Sequence, residues 1–148
     1  MSAQKNISDI LLAEDDDIDF DLIKDAFKVT GLGNRVQRAI DGEQALELIF
    51  HPERAAMRDF LPGLVMLDLN MPKKDGMEVL REIKSHASTR SLPVIILTTS
   101  SEQDDITQSY NYGANSFIIK PTKFQDLVDI LDTITQYWLN IVKLPKRV

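Results

Sequence analysis

"LVMLDLNMPKKDG", residues 64–76, sets four apolar residues directly before a carboxylate and then breaks into a loop marked by Pro72 and Gly76. An apolar run with no polar alternation is a strand covered on both faces, as strands are in a parallel sheet flanked by helices. "PVIILTT" at 93–99 and "SFIIK" at 116–120 share this character, while "DILLA" at 9–13 also has strand length. "RVQRA" at 35–39 is more polar and suits a sheet edge. Helical spacing fills the intervals. Phe20, Ile23 and Phe27 mark a first helix ending at Gly31, and Ala45, Leu48 and Ile49 a second ending near His51 and Pro52. Met77, Leu80 and Ile83 mark a third, and a weaker pattern from Glu102 to Tyr112, stopped by Gly113, a fourth. Leu127, Leu131, Ile134, Trp138 and Ile141 form the core stripe of a long fifth. Alternation of five strands with five helices predicts a doubly wound α/β fold, with right-handed crossovers placing helices on both faces of a parallel sheet. The longer connection at 51–63 reads as a surface excursion.

A chain of 148 residues fits one domain, 1–148, and can bury a core without disulfides or a structural metal. The absence of cysteine excludes disulfides, thiolate metal sites and thiol nucleophiles. A formal charge of −6 argues against nucleic-acid binding, which relies on clustered Lys and Arg. The one basic cluster, Lys143, Lys146 and Arg147, reads as solubilising. Met1 to Asn6 is polar and no apolar run approaches the roughly 18 residues that span a bilayer, so the expectation is a cytoplasmic protein with no membrane contact.

In doubly wound sheets ligands collect beyond the carboxyl ends of the strands. Glu14 and Asp15 follow the first strand, Asp68 ends the third, Thr98 the fourth and Lys120 the fifth, so three carboxylates, a hydroxyl and an ammonium converge on one edge. Carboxylates without competing nitrogen or sulfur ligands suit a hard, hydrated cation such as Mg²⁺. The tight loop between Pro72 and Gly76 lets the backbone carbonyl of Asn70 reach back to it. Asp68 is then the reactive group: its oxygen can attack a phosphoryl group in line while Lys120 offsets charge and Thr98 donates a hydrogen bond. Taken singly, each residue has a plainer reading. Asp15, Asp16 or Asp17 could cap a helix, Thr98 could be a strand residue and Lys120 a solvated one. Their joint placement at the ends of four strands favours the site. Asp16 or Asp17 is expected to cap the first helix, and Asp19, Asp21, Asp104, Asp105, Lys73 and Lys74 to be surface charge.

"LLAEDD", "VMLDLNMPKKDG", "PVIILTTS" and "FIIKP", in this order, resemble the two-component response regulator receiver domain over about residues 7–138, leaving a C-terminal helix extension at 139–148. The resemblance implies a flavodoxin-like sheet of order 2-1-3-4-5 and a signalling protein rather than an enzyme. It implies that Asp68 is the phosphoacceptor, that Glu14 and Asp15 form the acid pocket, and that Asp15, Asp68 and the Asn70 carbonyl ligate Mg²⁺. Thr98 becomes the switch hydroxyl, Phe117 the switch aromatic, and Lys120 the phosphate-pairing ammonium, followed in many members by a cis bond to the proline, here Pro121. The donor is a phosphohistidine on a sensor histidine kinase or a histidine phosphotransfer protein. Phosphorylation draws Thr98 inward, admits Phe117 and alters the surface of helix four, strand five and helix five. Three positions depart from the commonest pattern. Glu14 stands where Asp is usual, Phe117 replaces Tyr, and Thr99 stands where Ala or Gly is frequent, which is expected to prolong the phosphorylated state.

With the chain ending shortly after helix five, the expectation is a stand-alone receiver acting by partner contact or as a relay intermediate. Val128, Tyr137, Leu139, Val142 and Leu144 spread apolar surface beyond one face of the last helix. This tail resembles stand-alone regulators paired with cyanobacterial phytochrome-type kinases and favours a homodimer through that helix or through the helix 4, strand 5 and helix 5 face. Three rivals stand against this reading. Asp15 and Asp17 imitate the D-x-D nucleophile of haloacid-dehalogenase-like phosphatases, although Ile18 replaces the motif's Gly and Asp68 would go unexplained. A calcium EF-hand loop starting at Asp15 would need Gly and Glu where Phe20 and Ala26 stand. A degenerate receiver that binds without being phosphorylated is opposed by the complete set of site residues.

Overall fold

The computed structural model describes residues 9–146. Met1–Asn6, Ile7 and Arg147 lie outside the described residues. Five strands, β1 (Asp9–Ala13), β2 (Val36–Ala39), β3 (Pro62–Leu67), β4 (Val94–Thr98) and β5 (Ser116–Ile119), alternate with five helices. These are α1 (Asp17–Val29), α2 (Gly42–Phe50), α3 (Gly76–Ser85), α4 (Gln103–Asn111) and α5 (Phe124–Thr135), the last running into a π-helical segment, Gln136–Ile141. All strand pairs are parallel, in the order β2-β1-β3-β4-β5.

The period-two pleat divides the strand side chains between two cores. Ile10, Leu12, Leu64, Met66, Ile95 and Leu97 pack with Ile23 and Phe27 of α1 and Leu127 and Leu131 of α5. Leu11, Ala13, Val65, Leu67, Val94 and Ile96 pack with Ala45 and Ile49 of α2 and Val79, Leu80 and Ile83 of α3. The central strands are therefore apolar on both faces, polar only at their ends, at Asp9 and Thr98. β5 is the exception. It was expected to be covered on both faces, but it is the sheet edge beside a helix, α4, that buries only Ser109, and Ile119 is 47% exposed.

Local chemistry sets the helix starts. Asp16 caps α1 by accepting the Asp19 N–H, Asp41 caps α2, and Asp75 with Glu78 forms a capping box on α3. Gly31, at φ +87°, ends α1 in the left-handed conformation that glycine adopts without strain. The fifth helix departs from its predicted stripe. Leu127, Leu131 and Ile134 are core, Val128 is buried with them, and Trp138 packs against the same cluster, but Ile141 is 70% exposed. The Val142 N–H bonds to the Tyr137 carbonyl, five residues back, and this wider turn shifts the apolar positions off the inward face. Among the described residues no helix is long and apolar enough to cross a membrane.

Candidate functional site at the carboxyl edge of the sheet

The sheet ladder runs one residue past three strands. The Glu14 N–H bonds to the Ala39 carbonyl at 3.0 Å, the Asp68 N–H to the Ala13 carbonyl at 3.1 Å, and the Lys120 N–H to the Thr98 carbonyl at 2.7 Å. Backbone pairing, rather than loop packing, thus brings Glu14, Asp68 and Lys120 to one edge. Arg38 on the edge strand β2 ties down the β1–α1 connection: its guanidinium donates to the carbonyls of Glu14 and Asp15, pairs with Asp17 and lies over the Phe20 ring. Two glycines allow close packing of the loop after β3. A Cβ on Gly76 would lie 2.1 Å from the Asp68 carbonyl oxygen, and one on Gly42 would lie 1.9 Å from that of Lys74.

Lys120 Nζ sits 2.5 Å from Glu14 Oε1, 2.9 Å from Asp68 Oδ2 and 2.9 Å from Asp19 Oδ2. Its side chain is 9% exposed. Burial lowers the Lys120 pKa, but hydrogen bonds to Glu14, Asp19 and Asp68 outweigh it and hold the ammonium above its ordinary range. Glu14, 1% exposed, is pushed up to about 7 by burial, reinforced by the charge of Asp68 and opposed by the hydrogen bond from Lys120. The pocket thus carries more negative charge than one ammonium neutralises comfortably. Carboxylate oxygens of Glu14, Asp15 and Asp68 lie within 4.8 Å of one another, with Asp15 open to solvent and the other two buried. Three oxygen donors with no nitrogen or sulfur among them fit a hard divalent cation.

The remaining predicted residues lie around this centre. Thr98 is fully buried at the end of β4, where its hydroxyl accepts the Ser100 N–H at 3.4 Å. Phe117 is half-buried against the α2–α3 core, and its N–H donates to the Tyr110 hydroxyl. The Asn70 N–H donates to Asp68 Oδ1 at 3.2 Å. No cis peptide bond occurs among the described residues, so the Lys120–Pro121 bond is trans, the lower-energy isomer, and not the cis form found in many relatives.

Several acids and lysines read as surface charge are engaged. Asp19 belongs to the site. Asp15 precedes the Asp16 cap and so lies outside α1, which leaves no helical spacing to signal Asp19; only the fold brings its carboxylate to Lys120. Arg38 was also missed, because an arginine on an edge strand looks solvated until the β1–α1 loop is placed beside it. Lys73 pairs with Asp41 and Glu43, each at 3.6 Å, and Lys74 with Glu82 at 2.8 Å. Asp105 accepts the Ser100 hydroxyl at 2.6 Å, while Asp21 and Asp104 are exposed, as expected. The arrangement also bears on the phosphatase rival: the buried carboxylates that meet the lysine are Glu14 and Asp68, whereas Asp15 is exposed.

Residues 10–132 match the family model described as the response regulator receiver domain. The chain is 40% identical to the probable methanogenesis regulatory protein FilR2 of Methanothrix harundinacea, over 92% of this chain and 86% of that protein. It is 35% identical to response regulator Rcp1 of Synechocystis, over 92% of each, and a structure of the Mn²⁺-bound form of Rcp1 superposes with a TM-score of 0.81, covering 95% of this chain and all of that one. The phosphorylated cyanobacterial phytochrome response regulator RcpA is similar at 36% identity and a TM-score of 0.83, covering 94% and 99%.

Proposed function

We propose, from the premise that this chain belongs to the response regulator receiver domain family of two-component signalling proteins, that Asp68 accepts the phosphoryl group. The observation that carries this reading is the buried Asp68 carboxylate, held at the sheet edge by Asn70 and Lys120 beside two further acids. An Asp68 oxygen attacks phosphorus in line, the O–P bond forms as the N–P bond of a phosphohistidine breaks, and the departing imidazole keeps the electron pair and regains a proton. Lys120 holds the phosphoryl oxygens by charge, and Thr98, on the neighbouring strand, donates its hydroxyl to one of them. Glu14, Asp15, Asp68 and the Asn70 carbonyl would hold Mg²⁺, which when bound supplies Lewis-acid neutralisation of the phosphoryl charge. The Mn²⁺-bound form of Rcp1 supports that assignment.

In this reading the donor is a sensor histidine kinase, of phytochrome type by similarity to RcpA, or a histidine phosphotransfer protein. Inward movement of Thr98 and Phe117 alters the α4, β5 and α5 surface and so the partner bound. A homodimer through this face or the π-helical extension is a second element of the proposal, favoured by exposed Tyr110, Ile119, Phe124, Tyr137 and Ile141. Incubation with acetyl phosphate and Mg²⁺ tests the central step: intact-mass analysis is expected to show one acid-stable, base-labile phosphoryl group on the wild type and none on Asp68→Asn. Phosphorylation surviving that substitution would sink the assignment.

A further inference from the structure

The Lys120 ammonium has three carboxylate partners, and only two of them, Glu14 and Asp68, belong to the set of oxygens near enough to share a cation. A dication drawing on Glu14 and Asp68 competes with Lys120 for those oxygens and repels its charge. Asp19 stands outside the competition. Its backbone is pinned by the α1 cap, through its N–H on Asp16 Oδ1, and its side chain is only 36% exposed with Oδ2 2.9 Å from Nζ. An acid that served only the dipole of α1 would have no need to reach a buried lysine across the site.

We propose that Asp19 is a positioning residue that retains Lys120 at the site while a dication occupies the acid pocket. In the cation-free protein Asp19 is one of three partners and its loss is shared with the other two. With the pocket filled it is the partner that remains, so its removal weakens the cation-bound form more than the free form. The same retention presents Nζ to the oxygens of a phosphoryl group on Asp68, a last step that rests on the phosphoacceptor reading above.

The test is a double-mutant cycle on Mg²⁺ affinity, titrated with the metal alone on wild type, Asp19→Asn, Lys120→Met and the double variant. Asp21→Asn, an exposed acid on the same helix, is the control for charge alone. Asp19→Asn is expected to weaken Mg²⁺ binding about fivefold to tenfold with Lys120 present and by no more than about twofold in the Lys120→Met background. An equal loss in both backgrounds, or a loss no larger than that of Asp21→Asn, overturns the proposal. If Lys120→Met does not fold, acetyl-phosphate transfer at saturating Mg²⁺ replaces the cycle: Asp19→Asn is expected to be about tenfold slower than wild type and Asp21→Asn to match it, and equal rates for all three overturn the proposal. Wild type that binds Mg²⁺ yet takes no phosphoryl group refutes the reading of Asp68 instead, and the affinity cycle still decides the role of Asp19.

Discussion

Glu14 is buried against another acid, and in the cation-free protein this makes its proton part of the folded state. Its carboxyl titrates near 7 when folded and near 4.5 when not, so between those values the folded chain holds the proton more tightly. The resulting stabilisation is fully present below 4.5 and is lost as pH rises through 7. Urea unfolding in a chelator, from about pH 5 to pH 8, should show wild type losing stability relative to Glu14→Gln by up to about 1.4 kcal/mol per pH unit; parallel curves would show that burial does not raise the Glu14 pKa in this way. Thr99, exposed immediately after the buried Thr98, bears on the opposite end of the reaction. Its bulk is expected to hinder the hydrolytic water, so Thr99→Ala should release phosphate several-fold faster than wild type in a time course.

The helices differ in how much they bury. α3 has a capping box and four buried residues, whereas α4 starts at Glu102 without a side-chain cap and buries only Ser109. Native-state hydrogen exchange should therefore find α4 amides opening at least about tenfold more often than those of α3, which suits a surface that changes on phosphorylation. Comparable protection of the two helices would contradict this. In α5, Leu131 and Ile141 read alike in the apolar stripe, yet one is fully buried and the other is not. Leu131→Ala should cost about 2–5 kcal/mol of stability by leaving a cavity, and Ile141→Ala within about 0.5 kcal/mol, measured by denaturant unfolding.

Across the molecule, cation binding at the acid pocket would be linked to folding, since the pocket exists only when β1 and β3 are paired. Mg²⁺ at about one hundred times its dissociation constant should add about 2.7 kcal/mol to the unfolding free energy, and a chelator should remove it; Asp68→Asn should show much less of this gain. Association is a property of the same scale. Sedimentation at high concentration is expected to show dimer, with beryllofluoride as the phosphate mimic, and monomer with and without it would refute the homodimer.

The fold was legible because the unalternated apolar runs at 64–68, 93–99 and 116–120 demand cover on both faces, and five strand-length segments separated by helical spacing leave few topologies. The site was largely legible too: Glu14, Asp15, Asp68, Thr98 and Lys120 sit at strand ends, and a parallel sheet brings strand ends together whatever the loops do. What the sequence left open depended on how each segment is covered within the sheet and how helices rotate. "SFIIK" looked as buried as the central strands, but being at the sheet edge is a property of the sheet and not of the segment. Ile141 followed the helical period, and a π turn that periodicity does not encode carried it outward. Asp19 and Arg38 looked solvated because their partners lie on other elements. Sequence alone therefore determined the sheet, its helices and the acid edge, for these follow from hydrophobic periodicity and chain order. Tertiary structure decided that one buried ammonium would face three carboxylates, because only packing α1 against the ends of β1, β3 and β5 brings Asp19 to Lys120.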